Sequence, residues 1–253
     1  MSSTVFRMLL ACAILSVAVY QLDAAELSWE AEHFVASNGD KFEVLHPPFK
    51  TQTNSDTPSR AKELIDSAGE PILDYTIEGP VYSDAFVGTP SGTDDSWLKY
   101  EFTVPQSGAW YFWGRVVAPT IGDNSFFWGV DIADADAKNA DDNNVNIWDF
   151  YEVDDATLKL RERYTTKWVW FRLNSRSGNP FKGTEVEQYG PNPTPLELTA
   201  GKHTMHIISR EKSYLDIVYA TTDKGFDANG TPPVSVEPQN KLTTTWGALK
   251  LGF

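Results

Sequence analysis

Among 253 residues there is one cysteine, Cys12. A disulfide framework is therefore excluded, and a hydrophobic core, with or without a bound metal, must hold the fold. Basic residues are also scarce, 21 Lys and Arg against 35 Asp and Glu, for a formal net charge of −14. So acidic a surface repels phosphate backbones and anionic bilayers, which excludes nucleic-acid binding. No apolar run is long enough to span a membrane; the stretch Met8–Tyr20 has about 13 residues where roughly 20 are needed. A G-x-S-x-G elbow, a P-loop and a dinucleotide fingerprint are all missing. Four histidines remain, His33, His46, His203 and His206. The last two are three apart, so on a strand they face opposite sides and form no two-His metal pair; His203 is assigned to a turn. Acids are so numerous that the two carboxyls of a glycosidase are met by chance and locate nothing.

What the chain does have is aromatics: 9 Trp, 10 Tyr and 14 Phe, which favour a sheet-rich core or ring-lined surfaces. Residues 1–24 read as a secretory signal peptide, with Arg7 ahead of the apolar run and small residues at Ala24 and Ala25. Cys12 falls inside it with too little apolar sequence before it for lipidation. The expectation is an exported or cell-surface protein whose main domain covers 25–227, followed by a linker and short apolar segment over 228–253. Alternating apolar and polar residues predict strands over 27–32, 97–104, 110–117, 125–132, 168–174, 203–210 and 214–221. Gly, Pro, Asn and Asp punctuate them at 105–108, 119–124 and 199–202, and Gly108 and Gly201 suit tight turns between antiparallel strands. Short helices are expected over 59–67 and 155–163, and long loops over 133–166 and 175–195. With no α–β alternation, the fold class is all-β, an antiparallel β-sandwich with long loop insertions. Trp97, Tyr100, Phe102, Tyr111 and Trp113 are expected to pack between its two sheets.

The motifs then fall in a familiar order. "LSWEAEHF" at 27–34 opens on a Glu-Ala-Glu strand. "DDSWLKYEFTVPQSGAWYFWGRVVAP" at 94–119 joins a Trp-led strand through a V-P…G turn to an aromatic strand ending in Arg-Val. "GDNSFFWGVD" at 122–131 and "KWVWFRL" at 167–173 follow, and "LELTAGKHTMHIISREKSYLDIVYATTD" at 196–223 reads as a closing hairpin with a Leu-Asp pair. Across 26–227 this order resembles the jelly-roll carbohydrate-binding modules of families six, thirty-five and thirty-six, galactose-binding-like sandwiches.

The resemblance implies two sites. Glu30, Glu32 and Asp216 would join backbone carbonyls around a structural calcium ion, which takes six to eight oxygen ligands. The acidic stretch 131–144 fails an EF-hand template, with Lys138 and Val145 at ligand positions, and reads as a solvated loop. A poly- or oligosaccharide would bind at Phe86, Trp168 and Tyr214. A pyranose stacks its apolar face on a ring and presents its hydroxyls to polar groups, so Trp168 is the expected platform. Trp168 and Trp170 are two apart and should face the same way. Trp148, Phe150, Tyr151 and Tyr189 are read as packing that extends this surface only if exposed. Arg115 and Arg210 are expected to be paired or exposed strand ends. The function implied is a secreted, non-catalytic glycan-binding module. A structural or adhesive extracellular sandwich, and a jelly-roll polysaccharide lyase or hydrolase, remain open beside it.

Overall fold

The computed structural model describes residues 24–53, 73–91, 95–118, 122–138, 145–150, 165–174, 195–230 and 233. Residues 1–23 of the expected signal peptide, both expected helices, Tyr151, Tyr189 and all of 234–253 lie outside them. Fourteen strands follow in chain order: β1 (Glu26–Glu30), β2 (Ala36–Asn38), β3 (Glu43–Leu45), β4 (Phe49–Gln52), β5 (Asp74–Ile77), β6 (Phe86–Gly88), β7 (Trp97–Val104), β8 (Gly108–Ala118), β9 (Ser125–Val130), β10 (Asn146–Asp149), β11 (Thr165–Arg172), β12 (Leu196–Leu198), β13 (Gly201–Ile208) and β14 (Tyr214–Thr221). All pair antiparallel.

One sheet runs β11-β8-β14-β6-β3, with β1 added to β14 and β12 to β8; the other runs β10-β9-β13-β7-β2; β4 and β5 form a separate ribbon. Several consecutive strands therefore cross between layers. The Pro105–Gly108 turn links β7 in one sheet to β8 in the other, and β13 and β14 likewise belong to different sheets, so the closing segment 196–223 is not the hairpin expected. His203 is a strand residue of β13 rather than part of the turn before it.

Period-two alternation builds the core. Leu98, Tyr100, Phe102 and Val104 of β7, Trp110, Phe112 and Val116 of β8, and Met205 and Ile207 of β13 share one cluster between the layers. Trp29 stacks on Phe102 with ring centroids 5.0 Å apart, and two buried indoles are anchored by their N–H groups: Trp128 donates to the Asn174 carbonyl at 2.8 Å and Trp148 to that of Arg172 at 2.9 Å. Trp148 needs Gly114 beside it, since a Cβ there would lie 2.1 Å from the ring. Phe150 is core as well.

Residues of the other parity are buried too, which corrects one expectation. Trp97 packs on the outside of the five-stranded sheet under the 131–138 turn, with Phe127 and Ile208. Trp113 lies on the outside of the seven-stranded sheet with Trp170, Ile217 and Tyr219, and Tyr111 lies on that same face beneath the Arg172 guanidinium, 4.9 Å from the ring centroid. The β4–β5 ribbon covers another part of that face, over Phe86, Val117 and Tyr214.

Candidate functional site

On the outer face of the seven-stranded sheet, β8 presents Trp113 and Arg115, and β11 presents Trp168 and Trp170. Val169 and Phe171, at alternate positions, pack towards the core, so the two indoles do share a face. Between the ribbon and the segment following β14, this face is left as an open depression of about 490 Å³ lined by Pro80, Tyr82, Arg115, Trp168, Trp170 and Asn229, among others. That volume lies within the range of small-ligand sites.

Each wall is fixed by an identifiable contact. The Trp168 indole is half-buried; its N–H donates to the Glu78 carbonyl at 3.1 Å, and the Phe86 ring meets it edge-on at 5.2 Å. The Arg115 guanidinium lies 5.5 Å from the Trp168 ring centroid and 5.3 Å from that of Tyr82, close enough for cation–π attraction to both. Tyr82 packs edge-on to Trp170 at 5.7 Å, and its hydroxyl donates to the Pro233 carbonyl at 2.9 Å. The Asn229 amide pairs with the Trp170 backbone, accepting from its N–H at 3.2 Å and donating to its carbonyl at 3.0 Å. Burial raises the Tyr82 pKa, opposed by Arg115 and supported by the charges of Asp216 and Glu30, so this phenol remains a neutral donor at physiological pH.

Neither a protein-family model nor a curated protein matches the chain. Among solved structures it is similar to the C-terminal CBM6 of a marine laminarinase from Zobellia galactanivorans, at 12% identity and TM-score 0.35 over 78% of this chain and 99% of that one. A family 35 carbohydrate-binding module from Clostridium thermocellum gives 8% identity and TM-score 0.36, covering 78% and 97%. A CBM6 from Cellvibrio mixtus lichenase 5A, in complex with cellotriose, gives 11% and 0.37, covering 78% and 96%. These neighbours come from two of the three families whose motifs the sequence resembles.

Of the three expected ligand residues, only Trp168 borders the depression. Phe86 and Tyr214 are fully buried, 6.0 Å apart beneath the ribbon, and offer no ring face to a sugar. Tyr214 is tied down further by a 2.7 Å hydrogen bond between its hydroxyl and that of Thr51, and burial pushes its pKa up to about 12. Both are corrected from ligand contacts to packing residues. Their rings are taken by the two-stranded ribbon, whose existence the sequence pattern did not reveal. Tyr82 and Asn229 were missed because they stand on irregular backbone without periodicity. Arg115 is indeed paired, and it also borders the depression.

The expected calcium ligands are brought to one end of the same sheet. Glu30 ends β1 and Asp216 sits at a bulge in β14, where Leu215 pairs with Val116 and Ile217 with Arg115. The Ala31 N–H donates to the Asp216 carbonyl at 2.9 Å, which brings the acids to one end of the sheet. Asp216 is fully buried, however, and its carboxylate is already occupied: Oδ2 accepts from Arg115 Nη1, and Oδ1 accepts the Tyr82 N–H at 3.2 Å. Glu32 accepts from the Ser83 hydroxyl. Among the described residues no group of three or more His, Cys, Asp or Glu side chains is placed to hold a metal ion. Glu32 Oε2 is buried and accepts no hydrogen bond, so an acceptor is left over at this end of the sheet. Burial raises the Asp216 pKa from 3.8 to about 6 against the lowering effect of Arg115, with the Glu32 charge adding to the rise.

Along the acidic stretch, Asp131 accepts from His203 at 2.6 Å and from the Thr204 N–H at 2.9 Å, while Asp134 binds Lys99 at 2.7 Å and His206 at 3.0 Å. These acids act as clamps across β13 and β7. Arg210 is paired too, with Glu211 at 3.0 Å.

Proposed function

We propose that this protein is an exported, non-catalytic glycan-binding sandwich that seats a saccharide in the depression bordered by Trp168, Trp170, Tyr82 and Arg115. The observation that carries the reading is the half-exposed Trp168 indole at the wall of a concave surface, beside a guanidinium with donors to spare. Arg115 has five N–H groups, and the interactions with Asp216 and the Pro80 carbonyl leave several for hydroxyl oxygens. Aromatic face and polar donor together match the two chemistries of a pyranose ring. One ring contributes on the order of 0.5–1.5 kcal/mol beyond area burial, so micromolar to millimolar affinity is expected.

The test is affinity electrophoresis against a panel of plant, algal and microbial polysaccharides. Trp168→Ala is expected to abolish retention on any glycan the native chain binds, while circular dichroism stays native. Undiminished retention by a folded Trp168→Ala protein sinks the platform role. A second reading, a structural or adhesive sandwich, is favoured by the burial of Phe86 and Tyr214, and gains if no glycan retards the native chain. A calcium ion held by Glu30, Glu32 and Asp216 belongs to the same proposal, supported by the buried Glu32 Oε2 that accepts no hydrogen bond, and a Tm unchanged by exhaustive chelation removes it.

A further inference from the structure

We infer that the depression selects uncharged saccharides and turns away uronate and sulfated ones, because Asp216 cancels the charge of Arg115 from the buried side; this rests on the glycan-binding reading above. A guanidinium flanked by aromatic rings at the wall of a concave site ordinarily captures carboxylates, since its fork matches the oxygens of an anion. Here the guanidinium already has an anion of its own. Arg115 Nη1 donates to Asp216 Oδ2, and Asp216 is fully buried, so solvent does little to screen it. The bulge in β14 sets that acid against β8, and its Oδ1 accepts the Tyr82 N–H at 3.2 Å.

The field of the acids reaches the surface a ligand would touch. Burial leads the rise of the Tyr82 pKa, but the charges of Asp216 and Glu30 add to it, and Tyr82 is part of the wall. The Glu32 charge acts on Asp216 in the same sense. A calcium ion at Glu30, Glu32 and Asp216 would bring three carboxylates, one guanidinium and the ion to a sum of zero, not to a positive one. The remaining Arg115 N–H groups therefore serve hydroxyl oxygens, whereas a carboxylate brought to them would lie near Asp216 and be repelled. The net charge of −14 on the whole chain opposes anions as well, but from a distance, where salt screens it.

The experiment is calorimetric titration with laminarin, xyloglucan and galactomannan, and with the same three after oxidation of their primary hydroxyls to carboxyls, in millimolar calcium. Salt at about 0.5 M shortens the screening length to roughly 4 Å and removes the long-range repulsion. The native chain is expected to bind a neutral glycan about tenfold or more tightly than its oxidised form. Asp216→Asn is expected to raise the ratio of acidic to neutral affinity by about tenfold, a change that a loss of stability alone does not produce. Glu32→Gln keeps an oxygen for the Ser83 hydroxyl and should move the ratio the same way by less, which decides the matter if the Asp216 variant does not fold. An oxidised glycan bound as tightly as its parent, or variants with the native ratio, overturns the selectivity and leaves glycan binding standing; no affinity for any of the six overturns both.

Discussion

Asp216 makes the stability of this protein depend on pH in a direction opposite to that of most carboxylates. Its folded pKa is raised from 3.8 to about 6, and burial is the leading cause. A folded pKa above the unfolded one means that its contribution is fully present below about 3.8 and is lost as pH rises through about 6. The two values differ by roughly two pH units, about 3 kcal/mol in all at 1.36 kcal/mol per unit. Only part of that falls in a convenient window. Acidifying from pH 7 to pH 5 protonates most of the folded carboxyl and little of the unfolded one, so Asp216 alone adds on the order of 1 kcal/mol. For a domain of this size that is about 2–4 °C in Tm. The assay is urea unfolding by tryptophan fluorescence across this range, for the native chain and Asp216→Asn. Groups other than Asp216 are common to both proteins, so their protonation cancels in the difference. The native chain should gain stability on Asp216→Asn as pH falls. Parallel pH profiles would refute the reasoning, because they would mean the carboxyl has the same pKa folded and unfolded.

Two further outcomes concern other parts of the sandwich. Gly114→Ala should destabilise by about 3 kcal/mol in the same urea assay, because the new methyl meets Trp148, a fully buried ring that is also anchored by its N–H. The two β13 histidines should give pH slopes of opposite sign. His206 has a lowered pKa, because burial outweighs Asp134, so its contribution is lost as pH falls below about 6.5, and His206→Gln should lessen that acid-side loss. His203 is raised, because the Asp131 bond and the Thr199 carbonyl together overcome burial; its contribution is present below about 6.5 and lost as pH rises, so His203→Gln should remove an acid-side gain.

The long strands were legible because their pattern is local. β7 and β14 have the predicted limits, each being eight residues of aromatic and β-branched sequence between turn residues. The short strands were not. β2, β3, β6 and β12 have three residues each, fewer than two full alternations, and β10 lies within the long loop expected over 133–166. The same shortness hid the β4–β5 ribbon, and with it the reason that Phe86 and Tyr214 are sealed. Period two also tells which residues share a face without telling which face is inward. Trp97 and Tyr100 were therefore pooled, although one lies outside the sheets and the other donates to the Ala31 carbonyl within the core. For the candidate site, Trp168 was readable as an aromatic on a strand. Its neighbours Tyr82 and Asn229 arrive from irregular segments about 90 and 60 residues away in sequence, a proximity that only the folded backbone creates.

The Asn229 amide has a consequence beyond the depression it borders. Among the described residues β11 is the outermost strand of its sheet, and such a strand normally displays a row of unclaimed peptide groups on which a foreign chain can polymerise. By binding both the N–H and the C=O of Trp170, one asparagine side chain imitates the missing neighbour at the strand's midpoint. A side chain from the segment after β14 thus takes the place that a strand of another copy would need on this margin.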